Sequence, residues 1–192
     1  MKTLIIIILM MSALISACTN NNSNVKEDAT VNDSETISKE KNDHADIQPA
    51  SVEEVVADYI QIKNALTQDN SKEAAAAGKQ LQEALQKLDH ASFDSSQKKV
   101  FNNVKEDINE HAEHISTNPD KLDHQREHFD MLSVDMYDLV KSVKPSRTLY
   151  KDFCPMYNNN KGAYWLSEEK DITNPYYGKK MLTCGSVKEE IK

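Results

Sequence analysis

The chain has 192 residues, a formal charge of −8, 39% hydrophobic residues and only 6% aromatic ones. That length accommodates one domain with a leader and a tether rather than two full cores. Lysines scattered without a basic stripe argue against nucleic acid as the partner, because phosphate binding needs clustered cations.

Met1-Lys2 supplies a short positive start, and Leu4 to Ile15 is an apolar run too short to span a bilayer as a mature helix. It ends Ile15-Ser16-Ala17-Cys18. Small residues just before a Cys resemble the lipobox of bacterial lipoproteins. The resemblance implies that residues 1–17 are a signal peptide and that Cys18 is lipidated and holds the chain on a membrane. An ordinary secretory signal, with Cys18 incidental, is the alternative. From Thr19 to Ala50 the sequence is mostly Asn, Ser, Thr, Asp, Glu and Lys. Nothing there repays the entropy of ordering, so residues 18–50 are expected to form the anchor and a disordered tether, with a solvated His44. Such a tether has an r.m.s. reach on the order of 30 Å.

Four helices follow. Ser51 with Glu54 forms a capping pair, and Val52, Val55, Val56, Tyr59, Ile62 and Leu66 repeat at helical spacing. Asn70 with Glu73 starts a second helix, whose face is Ala74, Ala77, Leu81, Leu85 and Leu88 and whose small residues permit close packing. Phe93-Asp94 followed by Gln97 starts a third, with face Val100, Phe101, Val104, Ile108, Ala112 and Ile115. Asn118-Pro119 is expected to start a fourth, with Pro at its first position. Its face runs Leu122, Phe129, Leu132, Met136, Leu139, Val140 and Val143, and Pro145 ends it. Short connections between such helices predict an up-down antiparallel four-helix bundle over residues 51–146.

Residues 147–192 do not read as a fifth helix. Leu149 to Phe153, Ala163 to Leu166 and Lys180 to Thr183 are short and separated by Asn, Gly and Pro turns. The fold class is therefore mainly α, with a small irregular or β-containing C-terminal module packed on the bundle. Trp165 and the tyrosines Tyr150, Tyr164, Tyr176 and Tyr177 read most simply as its packing material. The module opens with Cys154-Pro155-Met156 and closes with Met181-Leu182-Thr183-Cys184. Two thiols and two thioethers make a soft donor set suited to Cu(I). In an oxidising compartment the same two thiols can instead form a disulfide.

Four of the six histidines flank the turn between the third and fourth helices: His111 and His114 before it, His124 and His128 after it. Spacings of three and four put each pair on one side of its helix. His111 and His114 fall on the flank of Asp107, and His124 and His128 on the flank of Asp135. In an antiparallel pair those flanks meet for one handedness of the turn and diverge for the other. Neutral imidazole is a borderline ligand, so the set suits Zn, Cu or Ni. The plainer readings are a solvated polar flank among Glu110, Glu113, Arg126 and Glu127, or His114 and His124 paired with acids to order the turn.

Taken together, the segments Tyr59-Ile60, Lys63-Asn64-Ala65-Leu66, His111-Ala112-Glu113-His114-Ile115, His124-Gln125-Arg126-Glu127-His128-Phe129, Cys154-Pro155-Met156, Trp165-Leu166-Ser167, Asn174-Pro175-Tyr176-Tyr177-Gly178 and Cys184-Gly185 carry a family likeness. The chain resembles a family of extracytoplasmic bacterial lipoproteins known only as a domain of unknown function. That domain also occurs fused to adaptor subunits of copper and other heavy-metal efflux pumps. The resemblance implies metal handling, with copper foremost and zinc as the alternative. The matching candidate ligands are His111, His114, His124, His128, Cys154, Met156, Met181 and Cys184. No adaptor domain is present here, so an efflux role would be that of a separate protein anchored in the cell envelope and facing the periplasm. Its partner would be an efflux adaptor or another envelope protein.

The leading expectation is thus a non-enzymatic, lipid-anchored copper-binding protein. Its rival is a structural or interaction module closed by a Cys154–Cys184 disulfide, with Met156 and Met181 as core. An enzyme is the weakest reading, since the sequence has no Gly-rich phosphate loop, no G-x-S-x-G and no H-E-x-x-H.

Overall fold

The structure, a computed structural model, describes residues 50–192. The expected signal peptide, Cys18, the tether and His44 lie outside the described residues. Four long helices come first: α1 (Val52–Thr67), α2 (Ser71–Lys87), α3 (Ser95–Ser116) and α4 (Leu122–Val143). A three-stranded antiparallel sheet of β1 (Leu149–Cys154), β2 (Ala163–Ser167) and β3 (Ser186–Ile191) follows, in the order β2-β1-β3.

The first three helices begin where their caps place them. Ser51 and Asn70 accept from the backbone N–H of Glu54 and Glu73, and Asp94 with Gln97 completes a reciprocal capping box. The fourth does not. Its first residue is Leu122 after an uncapped Lys121, three residues beyond Pro119. Asn118 is occupied elsewhere: its side-chain amide donates to the His114 carbonyl at the end of α3, and its own carbonyl accepts from Lys121 N–H. Pro119 therefore sits at the second position of a tight turn, a place its fixed φ also suits.

Apolar faces drive the packing. α1 lies on α2, α2 on α3 and α3 on α4, while α1 also touches α4. Small residues let α2 and α3 approach closely, so that a Cβ at Gly78 would lie 3.0 Å from the Ala112 carbonyl oxygen. Tyr59 joins three elements. Its buried ring stacks on Phe129 at 5.2 Å, and its hydroxyl bonds Ser133 Oγ at 2.7 Å and accepts from Leu166 N–H of β2 at 3.0 Å. Arg126, one of the flank residues around the histidines, is buried rather than solvated. It donates to the Pro175 and Leu66 carbonyls and to Asp69 at 2.6 Å, tying α4 to the end of α1 and to the tail.

The tail departs from expectation at one point. Lys180 to Thr183 is not extended; Gly178–Lys180 is a single 3-10 turn, and the third strand lies further on, at Ser186–Ile191. β1 pairs with β2 (Tyr150 opposite Ser167, Cys154 opposite Ala163) and with β3 (Leu149 opposite Ile191). Trp165 and Tyr176 are buried packing residues, as expected, whereas Tyr164 is exposed. Among the described residues no helix is long and apolar enough to cross a membrane.

Candidate metal centres

The histidine flanks meet. α3 and α4 form an antiparallel pair whose turn is held by Asn118 and by buried Gln125, which donates to the Ile115 and Ser71 carbonyls at 3.0 and 2.9 Å. One ligand atom each from His114, His124 and His128 lies within 4.8 Å of the other two. His111 Nδ1 lies 3.3 Å from His128 Nδ1, and its Nε2 faces Asp135 Oδ2 at 3.8 Å. The His114 and His128 rings stack at 4.0 Å, and His124 meets both edge-on. All four rings thus form one partly exposed cluster.

Burial acts on two of the rings. Burial, helped by the neighbouring His114, His124 and His111, lowers the His128 pKa to about 4. Burial also lowers that of His111, against the pull of Glu110 and Asp107. A second proton on either ring would sit partly desolvated beside other imidazoles, which favours the neutral, ligand-competent form. A second acid contact joins His124 Nδ1 and Glu127 at 3.7 Å. It lies on the exposed side and leaves the cluster intact.

The sulfur set is positioned by the sheet. Cys154 ends β1 and is fully buried, while Cys184 stands just before β3. The Cys184 carbonyl accepts from buried Asn174, and its N–H donates to the Met181 carbonyl at 3.0 Å. Gly185, at φ +151°, fits where a Cβ would lie 3.0 Å from both the Phe153 carbonyl and the Trp165 ring. The result places Cys154 Sγ 3.9 Å from Cys184 Sγ, and Cys184 Sγ 3.8 Å from Met156 Sδ. The two thiols are free, and burial with the adjacent Cys154 raises the Cys184 pKa. Met181 is the exception among the candidates. Among the described residues no sulfur contact reaches its thioether; it contributes the turn that holds Cys184.

The histidine group that gathers three ligand atoms within 4.8 Å includes no thiol. Seven of the eight candidates therefore resolve into an imidazole cluster on the helices and a sulfur cluster at the sheet, with Met181 outside both. Sequence reasoning missed a third polar feature. Asp152, two residues before Cys154, is fully buried opposite Trp165, and neither its carboxylate oxygens nor the Trp165 indole N–H has a partner. Burial lifts the Asp152 pKa to about 7 even though the charge of Lys63 pulls it down. Lys63 is itself buried and donates to Thr173 Oγ1 at 3.2 Å. Its signal in the sequence was its place between Ile62 and Leu66, near the centre of an apolar face.

Residues 55–148 match the model of a family described as a protein of unknown function (DUF3347). The match begins inside α1, runs through α4 with the whole histidine cluster and stops just before β1, short of every sulfur candidate. No curated protein and no solved structure matches the chain.

Proposed function

We propose that this is a lipid-anchored, extracytoplasmic protein that binds Cu(I) through Cys154, Cys184 and Met156, in metal handling tied to heavy-metal efflux or resistance. The sulfur spacing carries the reading. Ligands about 2.3 Å from one ion lie about 3.8–4.0 Å apart in tetrahedral or trigonal geometry. The separations are 3.9 Å between the two thiols and 3.8 Å between Cys184 and Met156. Two thiols and a thioether retain Cu(I) against hard competitors, and the exposed Met156 gives the ion a way in. The thiols must lose their protons to bind, so affinity falls as the pH drops, and the raised Cys184 pKa extends that dependence to higher pH. The helix order supports an up-down four-helix bundle carrying this sheet, and the Ser16-Ala17-Cys18 motif supports an anchor reaching an efflux adaptor or another envelope protein. The role is binding rather than catalysis.

The same proximity favours a second reading, a structural module in which Cys154 and Cys184 close a disulfide. Two measurements on purified protein decide between them. Titration under reducing conditions should show one Cu(I) per chain and none for the Cys154→Ser/Cys184→Ser variant; equal binding by both overturns the soft site. In unreduced protein the intact mass should keep both thiol hydrogens, whereas loss of two hydrogens supports the disulfide module.

A further inference from the structure

The imidazole cluster is a donor set distinct from the sulfurs. Its donors are nitrogen only, they come from two rigid helices, and they include none of the thiols. Ring nitrogens that share one tetrahedral ion at about 2.0–2.1 Å stand about 3.3–3.4 Å apart. His111 Nδ1 and His128 Nδ1 are 3.3 Å apart. The opposite nitrogen of His111 faces the Asp135 carboxylate, and both side chains are largely covered, at 14% and 17% exposure. A carboxylate behind a ligating imidazole is the arrangement that fixes the tautomer and aims the other nitrogen at a metal. At 3.8 Å Asp135 stands one small side-chain movement from a hydrogen bond to Nε2, which would leave Nδ1 to ligate.

We propose that His111, His114, His124 and His128 form a second, separate site for a divalent cation of the zinc class, with Asp135 as the positioning residue of His111. Nitrogen donors on a regular scaffold favour Zn(II) or Cu(II), whereas the sulfur set favours Cu(I), so one chain distinguishes ions by ligand softness. The His114–His128 stack has to open for both rings to reach one ion. That motion is a rotation about χ2, which is broad and cheap for histidine. His124, facing solvent, gives the entry side. This site stands whether or not the sulfur site binds copper.

The test uses the full chain with Cys18, Cys154 and Cys184 all replaced by Ser, titrated with Zn(II). It should bind one Zn(II), and X-ray absorption should show a shell of nitrogen and oxygen only, at about 2.0–2.1 Å. Cu(II) at the same site should give an EPR signal split by several nitrogens. His128→Ala should abolish both signals. Asp135→Asn should weaken binding about 10–100-fold and alter the nitrogen splitting at unchanged helix content, while Asp135→Glu restores most of the affinity. No Zn(II) or Cu(II) bound beyond a variant lacking all four histidines overturns the site, leaving an imidazole hydrogen-bond cluster. Normal binding by Asp135→Asn removes the positioning role. Cu(I) binding by the histidine-free variant reports separately on the sulfur site, so either reading can fail alone.

Discussion

The histidine cluster and the sulfur cluster are built on different kinds of backbone, and His128 in the one and Asp152 beside the other respond to pH in opposite senses. Two long helices aim the imidazoles, so three- and four-residue spacings alone set which rings share a side. The sulfurs depend instead on where three short strands and a glycine turn bring residues 28 and 30 positions apart. Helical aim survives local damage because each turn is held by its own hydrogen bonds, whereas the sulfur spacing has no local guarantee. The sheet centre should therefore be the fragile one.

The largest expected effect follows from that fragility. Trp165, fully buried under the sheet, packs edge-on to Tyr176 and backs Gly185. Trp165→Ala should cost about 3–5 kcal/mol in denaturant unfolding and remove Cu(I) binding. Gly185→Ala is narrower: at φ +151° and with 3.0 Å contacts, the added methyl should cost about 1–3 kcal/mol and shift Cys184. Cu(I) affinity should fall in this variant while Zn(II) binding at the histidines stays unchanged. Equal loss at both centres would show that the two are not independent.

Opposite pH responses sharpen the comparison further. The His128 pKa is lowered to about 4 in the folded state, so the unfolded chain binds the extra proton between pH 6.5 and 4, and this group's contribution to stability is lost as the pH falls through that window. For Asp152, raised from 3.8 to about 7, the folded state binds the extra proton, and stability is lost as the pH rises from about 4 to about 7. Asp130 and Asp135, each raised to about 6 by burial, act in the Asp152 sense and flatten the summed curve. Single variants separate the contributions. Thermal midpoints of His128→Gln should fall less with acid than those of the parent, and midpoints of Asp152→Asn should fall less with base. Parallel curves for variant and parent would show that these groups do not titrate as described. Smallest of all is Met181→Leu. This thioether makes no sulfur contact, so Cu(I) affinity should match the parent, and stability should change by less than about 1.5 kcal/mol.

Much of this architecture was legible before any coordinates. The caps at Ser51, Asn70 and Asp94 and the apolar faces after them placed three helix starts, because those signals act within one turn of the chain. Pro119 misled for a local reason: a tight turn and a first helical position demand the same φ, and only the Asn118 bond to His114 decides between them. β3 was missed because Val187 and Ile191 alternate with Ser186, Lys188 and Glu190 over barely six residues, which reads as a polar terminus. That the histidine flanks meet depended on the handedness of one turn, which no spacing specifies. Of the four sulfur candidates, Cys154, Cys184 and Met156 come together. Met181 fell away because Gly178–Lys180 turns rather than extends. The contacts of Asp135 and the burial of Asp152 were invisible, since charged residues in a sequence read as surface until a neighbouring element covers them.

The central claim is that Cys154, Cys184 and Met156 hold one Cu(I). Copper K-edge absorption on reduced, Cu(I)-loaded protein tests it most directly. The account predicts a sulfur shell at about 2.3 Å that disappears in the Cys154→Ser/Cys184→Ser variant. A shell of nitrogen and oxygen alone, or a sulfur shell unchanged by that double substitution, would contradict it.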